Sequence, residues 1–217
     1  MSEATPVVIA DDHPLFRAAL IQAVQQCMEN VAILEADSID SLLALVDSNP
    51  SVELVFLDLH MPGNDGFTGL TQLRNHYPDV TIIMVSSENS PMIMRRALQF
   101  GASAFIPKSA DLRVIGEAIS AVLDGDSWLP TDVDLVPEDA QADTHHRLAQ
   151  QLAELTPQQY AVLSLISDGK LNKQIAHELH IKETTVKKHV SAILVKLGVN
   201  NRTQAGMAFQ QLKLNAP

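Results

Sequence analysis

Short β-branched segments alternate with helical patterns five times through the first 125 residues of this chain. The candidate strands are PVVIADD at 6–12, VAILEAD at 31–37, VELVFLD at 52–58, TIIMVSS at 81–87 and SAFIPK at 103–108; helical spacing follows Pro14 and recurs at 38–48, 66–77, 90–101 and 110–125. Strand–helix alternation of this kind favours a parallel sheet with helices on both faces. We therefore predict an α/β domain with a five-stranded parallel sheet over residues 1–125.

Pro107 bears on the order of the strands. It lies within the fifth strand, and proline, which lacks an amide hydrogen, is tolerated in a sheet mainly at an edge. The fifth strand is an edge in a flavodoxin-like sheet of order 2-1-3-4-5. The sequence therefore favours a flavodoxin-like order.

Charge divides the chain into two parts. Residues 1–146 carry 6 lysines and arginines against 22 aspartates and glutamates, whereas residues 147–217 carry 9 against 4. The overall net charge of −11 hides a basic C-terminal part that suits DNA phosphates. Between the two parts, residues 126–147 are acidic, contain two prolines and lack sustained periodicity. We predict a linker over 126–147 and a second domain over 148–217.

The C-terminal part shows only short helical patterns, at 156–169, 171–181, 182–199 and 201–214. NKQIAHEL, a tight turn and ETTVKKHVSAILVKL form a predicted helix-turn-helix, whose second helix would enter the major groove of DNA. Thr184, Lys187, Lys188 and Ser191 lie opposite the apolar stripe of that helix. An ordinary solvated helix face would show the same spacing, so spacing alone leaves DNA binding open.

Polar residues follow four of the predicted strands. Asp11 and Asp12 end the first, Asp58 the third, Ser86 the fourth and Lys108 the fifth. Ligands of doubly wound sheets bind at these strand ends, and three converging carboxylates favour Mg²⁺. A lysine and a hydroxyl suit a phosphoryl group, and a carboxylate can accept one as an acyl phosphate. Taken singly, Asp11 and Asp12 could instead cap a helix, and Lys108 could be merely solvated.

The motifs DDHP (11–14), DLHMPGNDG (58–66), VSS (85–87) and GASAFIPKS (101–109) make residues 5–125 resemble the receiver domain of two-component response regulators. The resemblance implies that a sensor histidine kinase phosphorylates Asp58. It also implies a set of roles for the neighbouring residues. Mg²⁺ would be held by Asp12, Asp58 and the backbone carbonyl of His60, with Asp11 acting through water; Ser86 and Lys108 would contact the phosphoryl group, and Phe105 would occupy the aromatic switch position.

Residues 155–206 resemble the LuxR-type helix-turn-helix domain, through NKQIA, TVKKHV and KLGVNNRTQA. Together the two parts resemble the NarL/FixJ class of response regulators. The resemblance implies that Lys187, Lys188 and Ser191 lie at the DNA, with Lys173 and Thr184 as phosphate contacts. Phosphorylation is expected to free the recognition helix from the receiver and to promote a homodimer, with the helix around residues 203–212 as a contact between copies.

The sequence leads us to expect a DNA-binding transcriptional regulator that is not an enzyme. MSEATPVVIADD lacks the features of a signal peptide, and no apolar run reaches about 18 residues, so a cytoplasmic protein with no membrane segment is expected. Two alternatives stay open. One is a regulator controlled by partner binding rather than phosphorylation. The other is an aspartyl-phosphate hydrolase, which would require an acid at the position of His60.

Overall fold

A computed structural model of the chain describes residues 4–130 and 140–213, with side chains from residue 144 onward in the second range. The strands are β1 (Thr5–Ala10), β2 (Val31–Ala36), β3 (Leu54–Asp58), β4 (Thr81–Ser86) and β5 (Ala104–Pro107), and the helices are α1 (Pro14–Cys27), α2 (Ile39–Ser48), α3 (Thr68–His76), α4 (Pro91–Gln99), α5 (Leu112–Leu123), α6 (Ala140–Ala153), α7 (Pro157–Ser167), α8 (Asn172–Glu178), α9 (Glu183–Lys196) and α10 (Arg202–Gln210). None of the helices among these residues combines the length and apolar character needed to cross a bilayer.

The five strands form one parallel sheet in the order β2-β1-β3-β4-β5, as Pro107 predicted. The central strand β3 is buried along its whole length, which explains its continuous apolar sequence. Trp128 covers the β5 edge: its amide donates to the Ser103 carbonyl at 3.0 Å, and its carbonyl accepts from the Phe105 amide at 3.2 Å. The start of the predicted linker is therefore tied to the sheet.

Two apolar layers sandwich the sheet. Helices α1 and α5 cover one face, where Leu20, Val24 and Ile119 are fully buried against Ile9 and Phe56. Helices α2, α3 and α4 cover the other face, and the buried cluster there also includes side chains of the C-terminal domain. Because β-strand side chains alternate, neighbouring residues of one strand supply opposite layers.

The helix-turn-helix consists of α8 and α9 and is supported by α7 and α10. Thr156 caps α7 by accepting a hydrogen bond from the Gln159 amide at 3.3 Å, and Gly169, with φ of +78°, lies just past the helix end, as predicted. His180 adopts φ of +51° in the turn between α8 and α9. This turn orients α9 so that the side chains of its residues Val186 and Ile193 are buried.

Helix α6 begins at Ala140, inside the segment predicted as a linker. Residues 131–139 of that segment lie outside the described part of the chain. The side chains of Leu148 and Leu152 are buried. The first half of the helix is rich in polar residues, so the sequence shows no apolar periodicity there. His145 and His146, predicted to lie in a solvated linker, are on this helix, and His145 is half-buried beside Phe100 with ring centroids 5.5 Å apart.

Candidate functional site

Three charged side chains meet at the carboxyl ends of the strands. Lys108 follows β5, and its Nζ donates to Asp58 Oδ2 at 2.7 Å and to Asp11 Oδ1 at 3.0 Å. Asp58 ends β3 and Asp11 follows β1; the side chains of both are almost completely buried. One ammonium, on a side chain that is 12% exposed, thus neutralises part of the charge of two buried carboxylates, which is how the fold accommodates charges beside an apolar sheet.

The surroundings of Asp58 shift the pKa of its carboxyl group. Burial raises the pKa of the Asp58 carboxyl above its ordinary value, and the charge of Asp11 adds to the rise. Hydrogen bonds from Lys108 and the His60 amide, which donates to Oδ1 at 3.1 Å, lower the pKa and offset part of the effect. The ionised carboxylate therefore lies in a site that solvates it less well than water does.

Asp12 and His13 close the exposed side of the site. The His13 imidazole places Nδ1 2.6 Å from Asp12 Oδ1 and 3.7 Å from Asp58 Oδ2. The same Nδ1 lies 3.1 Å from Lys108 Nζ, so the ring contacts both the lysine and the exposed carboxylate of the site. Our sequence reasoning gave His13 no role, although its position directly after two aspartates was a signal that its ring would lie near them.

The residues present fit a divalent cation. Asp11, Asp12, His13 and Asp58 each bring a ligand atom within 4.8 Å of the others. Asp11 Oδ2 is buried and lies 2.9 Å from Lys108 Nζ, which also donates to Oδ1 at 3.0 Å. The carboxylate oxygens of this cluster are hard donors of the kind that suit Mg²⁺.

Ser86 and Phe105 lie on the strands beside β3. Ser86 is fully buried at the end of β4, and its hydroxyl accepts a hydrogen bond from the Glu88 amide at 3.0 Å. Phe105 is fully buried in β5, in the apolar layer beneath α4. Their predicted contacts to a phosphoryl group and their switching role stay predictions.

The predicted DNA-facing side chains lie on an exposed surface of the C-terminal domain. Lys187, Lys188, Ser191, Thr184 and Lys173 are all exposed, the first four on α9 and the last on α8. Lys187 Nζ lies 3.3 Å from Glu183 of the preceding turn, a contact that solvent weakens. In this arrangement the five side chains are open to solvent. The expectation that the unphosphorylated receiver hinders the recognition helix stays a prediction.

Two family models match separate parts of the chain. Residues 7–120 match the family model described as "Response regulator receiver domain", and residues 153–209 match "Bacterial regulatory proteins, luxR family". The first match alone covers more than half of the chain, which is enough to establish family membership.

Relatives and solved structures agree over nearly the full length. The chain is 39% identical over 214 residues to "Glycerol metabolism activator" from Pseudomonas putida, covering 97% of each protein. It is 25% identical to RcsB from Salmonella enterica bound to promoter rprA with the phosphomimetic BeF3-, with a TM-score of 0.53 and 96% and 100% of the two chains covered. A structure of two RcsB dimers bound to two parallel DNAs matches at 25% identity and a TM-score of 0.52, covering 96% and 98%. The chain is therefore a two-component response regulator of the NarL/FixJ class, with a receiver domain and a LuxR-type helix-turn-helix domain.

Proposed function

We propose that this chain regulates transcription by binding DNA as a homodimer when a sensor histidine kinase has phosphorylated Asp58. The observation that carries the proposal is the buried Asp58–Lys108–Asp11 cluster at the strand ends. RcsB, a relative in fold and sequence, is described in a complex with a promoter and a phosphomimetic group, and as dimers on DNA. These relatives support the proposal by analogy.

In the proposed reaction, an Asp58 carboxylate oxygen attacks the phosphorus of a phosphohistidine on the kinase. The new O–P bond forms as the P–N bond breaks, and the released imidazole takes up a proton. Lys108 holds the carboxylate in place and then faces the added phosphoryl charge. Asp12, Asp58 and the His60 carbonyl would hold Mg²⁺, with Asp11 acting through water, and the ion would neutralise charge on the phosphoryl oxygens.

The second part of the proposal concerns the DNA. Lys187, Lys188 and Ser191 would face base edges and phosphates in the major groove, and Lys173 and Thr184 would contact the backbone. Two recognition helices would read two half-sites, because one short helix contacts few bases. The exposed surface of α10, which includes Met207, is our candidate contact between the two DNA-binding domains.

Phosphorylation can be tested directly by intact-mass spectrometry after incubation with acetyl phosphate and Mg²⁺. We expect one phosphoryl adduct on the wild type and on Asp40→Asn, a control on the exposed start of α2, and none on Asp58→Asn or after chelation of Mg²⁺. An adduct that persists in Asp58→Asn would place the reaction elsewhere. Sustained release of phosphate from a monoester would instead favour the hydrolase, and absence of any adduct would favour control by a partner.

A further inference from the structure

The loop that follows β3 closes around the side chain of Asn64. Asn64 Nδ2 donates to the carbonyls of Asp58 at 2.8 Å and Leu59 at 3.1 Å. Its Oδ1 accepts from the Gly69 amide at 2.8 Å and from the Thr68 hydroxyl at 3.3 Å. Both amide hydrogens and both lone pairs of the oxygen are therefore used, and one side chain ties the end of β3 to the first turn of α3.

A tight turn directs Asn64 back toward the end of β3. The Asn64 amide donates to the Met61 carbonyl at 2.9 Å, across Pro62 and Gly63. Gly63 has φ of +82°, the conformation that a type II turn requires at its third residue. The Pro62 carbonyl accepts from the Ile39 amide at 3.0 Å, so the turn is also held by the start of α2.

The backbone is held on both sides of His60. The Leu59 carbonyl before it accepts from the Asn64 side chain, and the Met61 carbonyl after it accepts from the Asn64 amide. The His60 amide itself donates to Asp58 Oδ1 at 3.1 Å. Because each residue has only two freely rotating backbone dihedrals, these bonds restrict the direction of the His60 carbonyl and support the Asp58 carboxylate.

The start of α3 leaves no spare room beside Asn64. A Cβ on Gly69 would lie 2.8 Å from Asn64 Oδ1 and 2.6 Å from Ile39 Cδ1. Both distances are shorter than van der Waals contact, so any side chain at position 69 would displace its neighbours. Gly69 thus fixes the place of Asn64 in two ways, by its amide hydrogen bond and by the space that it leaves.

We propose that Asn64 is a positioning residue of the Asp58 site, which holds the Asp58 carboxylate and the His60 carbonyl in the arrangement that binds a divalent cation. This assignment rests on the proposed function, in which these groups hold Mg²⁺. Mg²⁺ tolerates little departure from octahedral geometry, so its affinity is sensitive to small displacements of its ligands. Groups that hold metal ligands in place contribute to metal affinity without contacting the ion.

Two substitutions disturb this arrangement in different ways. Asn64→Ala removes all four hydrogen bonds of the side chain. Gly69→Ala leaves Asn64 in the chain but pushes Oδ1 from its place, while alanine favours the helix more than glycine does. The matched control is Asn49→Ala, because Asn49 Nδ2 donates to the Leu45 carbonyl at 2.8 Å at the other end of the domain, where α2 leads into β3.

The full-length variants would be compared by three measurements. A ¹H–¹⁵N NMR titration with MgCl₂, followed at the amides of Asp12 and Asp58, gives the dissociation constant for Mg²⁺. Hydrogen exchange of the His60 amide in the metal-free protein reports how firmly the loop is held. Urea unfolding without Mg²⁺ gives the stability of each variant, so that a general loss of folding is recognised.

We expect Asn64→Ala to weaken Mg²⁺ binding about 10- to 100-fold, the usual effect of removing a group that orients metal ligands, and to speed exchange of the His60 amide. Gly69→Ala should weaken Mg²⁺ binding without a loss of stability. In the Asn64→Ala background Gly69→Ala should add little, because the new methyl group no longer meets Oδ1. Asn49→Ala should bind Mg²⁺ as the wild type does.

Separate results would overturn the inference and the proposed function. Wild-type Mg²⁺ affinity in both Asn64→Ala and Gly69→Ala would show that Asn64 supports only the fold. An equal loss of affinity in Asn49→Ala would show that any lost hydrogen bond has this effect, and would also overturn the inference. If the wild type itself bound no Mg²⁺ while Asn64→Ala still exchanged the His60 amide faster, the proposed function would fail and the positioning of the loop by Asn64 would stand.

Discussion

At the level of single residues, the Asp58 carboxylate depends on very few groups for stabilisation of its charge. The side chain is 1% exposed, and Lys108 and the His60 amide are its hydrogen-bond donors among the described residues. Burial raises the pKa of this carboxyl. Reactive groups in proteins often occupy sites that disfavour their resting form, and Asp58 has that character.

We expect Asp58→Asn to increase the free energy of unfolding at neutral pH by about 1 kcal/mol, the scale of a typical single substitution. Because the pKa of Asp58 is raised in the folded protein, folding is less favoured once pH exceeds the ordinary carboxyl value and the buried group ionises. The gain should therefore disappear as pH falls below that ordinary value. Urea unfolding without divalent cations measures it; a loss of stability in Asp58→Asn at neutral pH would show that the Lys108 pair outweighs burial.

At the level of helices and strands, α9 has a polar outer face and an apolar inner face that packs on α7 and α8, and Val195 near its end is an exposed exception. Lys187 and Lys188 are exposed, whereas Val186, which directly precedes them, is buried. Such a helix is stabilised by its inner face, so its outer residues can be changed with little effect on folding. This separation makes the outer face suitable for tests of DNA binding.

Replacing Lys187 and Lys188 together by alanine should weaken DNA binding and lower the magnitude of the log–log salt slope by about 1 for each DNA phosphate that is no longer neutralised. Arg113→Ala, which removes a positive charge from an exposed site on the receiver, is the control and should leave the slope unchanged. Fluorescence anisotropy over a range of salt concentrations gives both quantities. An unchanged slope in the double variant would place the DNA on another surface.

The helices and strands also show what could be predicted from sequence. The strands and the helices of the C-terminal domain follow from apolar periodicity and from caps such as Thr156, and the strand order follows from Pro107; these are local properties. Helix α6 was missed because its helical character depends on packing against another domain, which local pattern does not contain. The same reason applies to Tyr160: it is an ordinary polar residue in the sequence, and its partners Thr71 and Thr68 are 89 and 92 residues away in the chain.

At the level of the whole molecule, the interface between the domains contains a titratable group. The pKa of His145, on α6, is lowered by burial and by the positive charge of Arg96 on α4; its Nδ1 lies 3.0 Å from Gln99. A base whose pKa is lowered in the docked state takes up a proton more readily when undocked. Docking is therefore favoured above the ordinary histidine pKa and weakens as pH falls through it.

Lowering the pH from about 7.5 to about 5.5, across the ordinary histidine pKa, should expand the wild-type protein in small-angle scattering. His145→Gln keeps a polar side chain and removes this titration, so it should show a smaller change. An equal expansion in wild type and variant would show that another group controls the response. Circular dichroism at both pH values would establish that the domains themselves stay folded.

Control of DNA binding by Asp58 can be measured as DNA affinity with and without beryllofluoride. Wild type and Asp58→Asn would be titrated against a pool of promoter fragments in Mg²⁺, with gel-filtration mass recorded for the same samples. We predict that beryllofluoride produces a dimer and tighter DNA binding in the wild type and changes neither quantity in Asp58→Asn. Equal affinity and mass with and without beryllofluoride in the wild type would show that Asp58 does not control DNA binding.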